Sequence, residues 1–333
     1  MKDKVRLASV GLGWWGSELA DAAARSGRIE IVSCFARSVD GRADFAAKHG
    51  TRTAGSIDEL LADPEVEGVI IATANQSHRP LIEQAAAAGK HVFVEKPFTN
   101  TVEDGLAAVA AARERGVLLQ VGHQRRRTAA KRRIKAMLDA GELGEVETVV
   151  TQQSLPNGFK MPEKAWRWDP EQSPLGSMTS LGVHKIDTMQ YLVGPIRSVF
   201  AFTRPGRTRP IDEATILAVE FESGALGTLT TSFFTPVVND TAVFCTGGAA
   251  YSSAGGAQLK VQGRDDAVAE EVELEPIDPV VDQLAAFAAA IRGEAPVEVD
   301  GEAGLAVVAV MEAAVESAAS GRAVEVAEVM ARA

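Results

Sequence analysis

Short apolar runs separated by amphipathic stretches fill the chain as far as Gly122. The runs Val5–Val10, Ile29–Phe35, Gly68–Ala72, His91–Glu95 and Val117–Val121 are mostly rich in Val, Ile and Leu, with little polar alternation. Strands covered on both faces read this way, which predicts a parallel sheet between helices. Helix signals lie between the runs. Ser56-Ile57-Asp58-Glu59 is a capping box ahead of Leu60 and Leu61, and Thr101-Val102-Glu103-Asp104 is a weaker one. Gly27, Gly89 and Gly116 each follow a helical run and suit the left-handed position that ends a helix. The sum is a β-α-β-α-β, doubly wound half of dinucleotide-binding type.

Beyond Gly122 the pattern changes. Thr128–Ala140 reads as one helix closed by Gly141. Strand-like stretches follow at Glu145–Leu155, Ser198–Thr203, Ala214–Glu222, Ala225–Phe233, Thr241–Thr246 and Gln258–Gln262, with Glu222-Ser223-Gly224 as a hairpin turn. Helices near Val280–Arg292 and Glu302–Ser320 finish the chain. The expectation is an α/β protein in two domains. Residues 1–122 form a Rossmann doubly wound parallel sheet, and 123–333 an α+β domain with a mostly antiparallel sheet.

Composition narrows the function classes. The 333 residues are 46% apolar and 24% charged, ordinary for a globular protein. A net charge of −11 argues against a partner bound through its phosphates, so no nucleic acid is expected. No apolar run is read as approaching the ~18–20 residues of a membrane span, so no membrane partner is expected. Cys34 and Cys245 lie in apolar stretches and read as buried thiols, not a disulfide. With a strand pattern starting just after Met1, a cytoplasmic location is expected.

Gly11-Leu12-Gly13-Trp14-Trp15-Gly16 follows a strand and opens a helix. In that setting Gly11 permits the tight turn, Gly13 a close pyrophosphate, and Gly16 close helix–strand packing. The helix start offers unpaired N–H groups to the phosphates. The second strand ends Cys34-Phe35-Ala36-Arg37-Ser38, without the carboxylate that would bind the ribose hydroxyls of NAD. Arg37 and Ser38 suit a 2′-phosphate, which favours NADP. Alternatively Arg37 stacks on adenine and both cofactors bind.

The fourth strand runs into Glu95-Lys96-Pro97, and proline ends it for want of an N–H. That sets Lys96 at the carboxyl edge of the sheet, where such folds bind ligands. The glycine loop, Thr73-Ala74-Asn75-Gln76-Ser77-His78, Glu95-Lys96-Pro97 and Gly182-Val183-His184-Lys185-Ile186-Asp187 occur in that order. With Trp166-Arg167-Trp168-Asp169-Pro170-Glu171 and the stretch Ala313–Arg322, nearly the whole chain resembles the glucose-fructose oxidoreductase/inositol dehydrogenase/MocA family.

That resemblance implies a second domain with an open-faced sheet and NAD(P)-dependent interconversion of a hydroxyl and a carbonyl on a sugar, polyol or related cyclic compound. It implies Lys96 as the catalytic lysine, with Glu95 and Pro97 shaping its turn. Thr73, Asn75 and His78 would line the nicotinamide side, and His184 would be the catalytic-site histidine. Homodimers or homotetramers are implied too. Gln124, Arg126, Trp166 and Ser180 join Lys96 and His184 as candidates for substrate contact. Inositol-type members carry an aspartate four residues before the histidine. Here that residue is Ser180, which cannot serve as a carboxylate base.

Oxidising an alcohol moves a hydride from carbon and a proton from oxygen. Lys96 is the expected proton acceptor, with His184 orienting the oxygen or relaying the proton. His184 and Asp187 share a helix face, but no further ligands cluster with them, so no metal is expected and Asp187 reads as a structural partner. Seven basic residues crowd Arg125–Lys135, and the reading is a helix with a solvated basic face. A non-catalytic dinucleotide sensor or a redox-assisted glycosidase on the same scaffold are the rival functions.

Overall fold

The computed structural model describes residues 4–207 and 209–333. The chain begins with β1 (Val5–Val10), α1 (Trp14–Arg25), β2 (Ile29–Phe35), α2 (Val39–His49), β3 (Arg52–Thr53) and α3 (Ile57–Ala62). Then come β4 (Gly68–Ile71), α4 (His78–Ala87), β5 (His91–Val94), α5 (Val102–Arg115) and β6 (Leu119–Val121). These strands form one parallel sheet in the order β3-β2-β1-β4-β5-β6. Order reverses between β1 and β4, the position where such sheets open a ligand crevice at their carboxyl ends.

The helix signals work as their chemistry requires. Ser56 Oγ accepts from the Glu59 N–H at 3.0 Å, and Thr101 Oγ1 from the Asp104 N–H at 3.2 Å. The Glu59 carboxylate reaches back to the Gly55 N–H at 2.7 Å, closing the box one residue further out than expected. Gly27, Gly89 and Gly116 all have positive φ, between 64° and 71°.

The chain continues with α6 (Ala129–Asp139), β7 (Val146–Ser154), α7 (Val183–Val193), β8 (Ile196–Arg204), β9 (Ala214–Phe221) and β10 (Leu226–Ser232). After them come β11 (Val238–Cys245), β12 (Gly248–Ser253), β13 (Gln258–Gly263), β14 (Glu270–Glu271) and α8 (Pro279–Ile291). It closes with α9 (Gly301–Ser320), β15 (Val324–Glu325) and α10 (Val326–Arg332). The second sheet runs β14-β13-β12-β11-β7-β10-β9-β8-β15. All its pairs are antiparallel except β10 with β7, which run parallel. The buried side of its central strands packs on α7; a Cβ on Gly227 of β10 would lie 2.7 Å from Met189 Cε.

The chain forms two compact units, and a single boundary after residue 122 does not describe them. The first holds the described residues through Gln124 together with Asp278–Leu305; the second holds Arg125–Ile277 and the chain from Ala306 onward. The returning segment belongs to the first unit for a packing reason. Leu284, Phe287 and Ala288 of α8 are fully buried in one cluster with Leu19, Ile29 and Phe93. The Phe93 and Phe287 rings stand 5.9 Å apart, and Arg292 binds Glu67 at 2.6 Å.

Three sequence expectations need correction. Four strands were not among those expected: β3, β14 and β15 are two residues long, too short to leave a pattern, and β12, Gly-Ala-Ala-Tyr-Ser-Ser, is built of small residues of little strand propensity and is held by its partners β11 and β13. α9 is long and apolar enough to cross a membrane by length and composition, with mean hydropathy 1.5, so the expectation that no run reaches that length was wrong. Half of its apolar window is buried inside the protein. Cys34 is buried, whereas Cys245 is only half-buried; both are free.

Candidate active site

The glycine loop of the first unit has the shape its sequence demands. Gly11 adopts φ +93°, and a Cβ there would stand 2.5 Å from the Ala72 carbonyl oxygen. A Cβ on Gly16 would stand 2.0 Å from the Gly11 carbonyl oxygen. At Gly13 the same atom would meet nothing within 4 Å, and no side chain caps the start of α1. The loop therefore has two glycines that the fold requires and one that leaves space in front of free N–H groups. That combination fits a dinucleotide pyrophosphate. Trp14 is 75% exposed, while Trp15 packs against the core of the unit.

At the end of β2, Ala36 is half-buried and Arg37 exposed. Among the described residues Arg37 engages no hydrogen-bond or ion-pair partner. Ser38 is already in use: its Oγ accepts from the Gly41 N–H at 3.1 Å and caps α2. Its hydroxyl proton stays available to a further acceptor.

Two turns at the same sheet edge are tied by one histidine. Thr73 follows β4, and its Oγ1 accepts from Ser77 Oγ at 2.7 Å; Asn75 opens the short turn that leads into α4. His78 is fully buried. Its Nε2 lies 3.1 Å from the Thr73 carbonyl oxygen, and its Nδ1 lies 3.0 and 3.1 Å from those of Pro97 and Phe98. Burial holds its proton affinity below the ordinary imidazole value, against the pull of those carbonyls. A neutral ring can donate on one side only.

The Lys96–Pro97 peptide is cis and Lys96 is half-buried. Glu95 is buried beneath it, and burial pushes its carboxyl above the usual range, opposed by the Lys96 charge, the Trp15 indole and the Lys96 N–H. That N–H donates to Glu95 Oε2 at 3.2 Å. Gly122 is what leaves room for the carboxylate, since a Cβ there would lie 2.6 Å from Glu95 Oε1. The sequence offered no signal for Gly122 beyond its place at a strand end.

In the second unit a π-helical turn, Met178–Gly182, leads into α7. It carries Ser180, whose Oγ accepts from Arg167 Nε at 3.3 Å. Gly182 allows this turn to close, because a Cβ would fall 1.9 Å from Met178 Sδ. His184 follows on α7 and is 5% exposed. Asp187 does act as a partner: it binds Arg126 in two buried hydrogen bonds, Nε to Oδ2 at 3.0 Å and Nη2 to Oδ1 at 2.5 Å. The Arg126 guanidinium also stacks on Tyr191 at 5.0 Å. Arg126 is thus committed to holding α7. Gln124 is buried, with its Oε1 unpartnered.

Trp166 is 39% exposed beneath the Arg167 guanidinium, whereas Trp168 is buried and donates from Nε1 to the Pro162 carbonyl oxygen at 2.8 Å. Nearby, a cleft of about 640 Å³ opens between Phe159, Glu163, Arg209, Glu213 and Phe234. Among the described residues no group of three His, Cys, Asp or Glu side chains could hold a metal ion.

Residues 5–123 match the NAD-binding Rossmann fold of the oxidoreductase family, and residues 132–251 match the GFO/IDH/MocA C-terminal domain. The chain belongs to the GFO/IDH/MocA family. Among curated members it is similar to 1,5-anhydro-D-fructose reductase of Ensifer adhaerens, with 29% identity over 96% of this chain and 98% of that protein. It is 32% identical to the scyllo-inositol 2-dehydrogenase (NAD(+)) of Bacillus subtilis, over 72% of this chain and 70% of that one. A crystal structure from Desulfitobacterium hafniense, provisionally described as an NADPH-dependent oxidoreductase, superposes with a TM-score of 0.94. That match has 32% identity and covers 99% of this chain and 100% of that one. The GFO/IDH/MocA assignment makes the first unit an NAD(P)-binding Rossmann domain and the chain an oxidoreductase.

Proposed function

We propose that this GFO/IDH/MocA oxidoreductase interconverts a hydroxyl and a carbonyl on a sugar, polyol or related cyclic compound. Lys96 takes or gives the oxygen-bound proton, and His184 assists. One observation carries the reading. Lys96 stands at the carboxyl end of β5, on the edge where the glycine loop leaves β1 and the Thr73 turn leaves β4. Lys96 is half-buried there, with the buried Glu95 carboxylate behind it. The names of the relatives, a reductase of an anhydro-sugar and a dehydrogenase of an inositol, support the substrate class.

The loop of Gly11, Gly13 and Gly16 would hold the dinucleotide, which would supply the hydride acceptor or donor. The protein handles the proton. Lys96 is tethered by its own N–H to Glu95, while His78 fixes the following turn by its bonds to Pro97 and Phe98. Exposed Arg37 beside Ser38 at the start of α2 supports NADP over NAD, although the relatives' names carry both cofactors.

We also propose a homodimer or homotetramer formed through the bare face of the second sheet. Phe202, Ile216, Val150 and Leu226 are 43–61% exposed there, and strand registers put Phe202 beside Ile216 on one surface. Exposed apolar side chains of this kind on one sheet mark a contact surface. Light scattering of wild type and Ile216→Asp tests it; equal masses would refute it.

The test of function follows reduced-nicotinamide absorbance across sugars, polyols and their oxo forms, with NAD and NADP. Turnover of at least one is expected. Lys96→Met should lose a factor of roughly 10²–10⁴ in kcat while keeping dinucleotide affinity by calorimetry. Near-wild-type turnover in that variant would end the assignment of Lys96.

A further inference from the structure

The basic stretch Arg125–Lys135 has the solvated face its composition predicts at only some of its cations. Arg133 and Lys135 meet surface carboxylates, Glu142 and Asp139. Lys131 points the other way, alongside Ile134, and is 1% exposed. Lys185 of α7 is 2% exposed and lies in the same interior. Arg125 is close enough that its charge disfavours protonation of both lysines, and Lys131 does the same to Lys185.

Almost nothing offsets these charges. Lys185 Nζ donates to the Asp240 carbonyl oxygen at 2.9 Å and to Thr241 Oγ1 at 3.2 Å. Lys131 Nζ has no acceptor among the described residues. Arg125 Nε is buried without a partner. The acidic side chain coupled to the lysines is Asp240. Strand alternation turns it to the opposite face from buried Thr241, and Asp240 is exposed. Ser252, the cross-strand neighbour of Thr241, is 1% exposed, and its Oγ is also unpartnered. Backbone comes close: a Cβ on Gly256 would lie 2.9 Å from Lys131 Nζ. Packing cations together in a dry interior with spare donors, and with the exposed Asp240 as the carboxylate that acts on them, is strongly unfavourable.

We propose that the second unit contains an anion-binding site, in which Arg125, Lys131, Lys185 and the Ser252 hydroxyl hold one small oxyanion, a phosphate or a carboxylate. The anion supplies the missing negative charge and accepts from the orphaned donors. The site does not depend on the redox reading, and it requires nothing from the glycine loop. The anion comes either from free inorganic phosphate or from the acid group of an organic ligand.

The experiment is thermal unfolding of the full chain in rising inorganic phosphate, with ionic strength held constant by chloride. The expected result is a saturable rise in Tm of about 3–6 °C at a hundredfold excess over Kd. Lys131→Met, which keeps the length of the stem, should lose that increment. The glycine loop is common to both proteins, so the difference between them isolates the buried site. An equal increment in the variant, or none in wild type, would overturn the proposal. A second measurement covers a variant that fails to fold: wild-type crystals soaked in arsenate should show an anomalous peak within hydrogen-bond reach of Lys131 Nζ, and peaks only elsewhere would refute the site. Gluconate that displaces phosphate where glucose does not assigns the site to an organic acid. Failure of gluconate to compete assigns it to the free ion.

Discussion

In the first unit the groups that would meet a dinucleotide are mostly main chain: N–H groups at the start of α1, in a loop that Gly11 and Gly16 shape and Gly13 leaves open. In the second unit the comparable chemistry is carried by charged side chains taken out of water, Arg126 against Asp187 and Lys131 beside Lys185. The first arrangement holds its ligand through shape and fixed dipoles, which stay in place whatever the occupancy. The second depends on charge, matched in the Arg126–Asp187 pair and unmatched at the two lysines, so removing one charge shifts the balance of its buried neighbours. The comparison teaches where each unit is vulnerable. A small side chain in the wrong place disables the first, while a lost charge disables the second.

The largest effect should come from breaking that second arrangement. Arg126→Met removes the cation that binds the buried Asp187 carboxylate in two hydrogen bonds, and should destabilise the protein by about 3–5 kcal/mol. Restoring balance with Arg126→Met plus Asp187→Leu should recover most of that loss in denaturant unfolding. A double variant no better than the single one would show that the pair acts through geometry, not charge.

Next in size is Gly13→Ala. Nothing lies within 4 Å of the added methyl, so Tm should fall only by the small cost of alanine in place of glycine at the N-cap of α1. Dinucleotide affinity should fall by about 10–100-fold, equivalent to ~1.4–2.7 kcal/mol, because the methyl occupies the phosphate's space. Equal losses of stability and affinity would show that the loop is organised like the second unit after all.

The smallest effect is a pH dependence seated in the first unit. Burial lowers the proton affinity of His78, and of His91. The unfolded chain then binds more protons than the folded one below the ordinary imidazole value, so stability is full above pH ~6.5 and falls as pH drops below it. The slope per fully neutral histidine is at most about 1.4 kcal/mol per pH unit. His78→Asn should flatten the fall of Tm between pH ~6.5 and ~5.5. An unchanged slope would remove His78 as its source.

These contrasts explain what the sequence could disclose. Glycine spacing, capping boxes and unalternating strands are local signals, and they located β1, β2, β4, β5, β6 and the loop after β1 to within two residues, while the two-residue β3 left no such signal. The return of α8 was not local: Phe287 looks like any helical phenylalanine until Phe93 is known to face it. The fate of Arg125 and Lys131 was misread for the same reason, since a cation on an amphipathic helix is ordinarily solvated and only Thr241 and Ser252, more than 100 residues away, define the interior that receives it. Ser180 shows the limit at single residues. Its missing carboxyl was visible at once, but its engagement by Arg167 was not.

The path of α8 has a consequence for synthesis. A ribosome releases the polypeptide from its amino end, so Phe93 emerges almost two hundred residues, and Leu19 and Ile29 more than 250 residues, before the phenylalanine that seals them. For most of translation that half-built layer stays uncovered. A truncated gene stopping at Gln124 should therefore yield an insoluble product, whereas a fusion that splices Asp278–Leu305 onto its end by a short glycine-rich bridge should be recoverable.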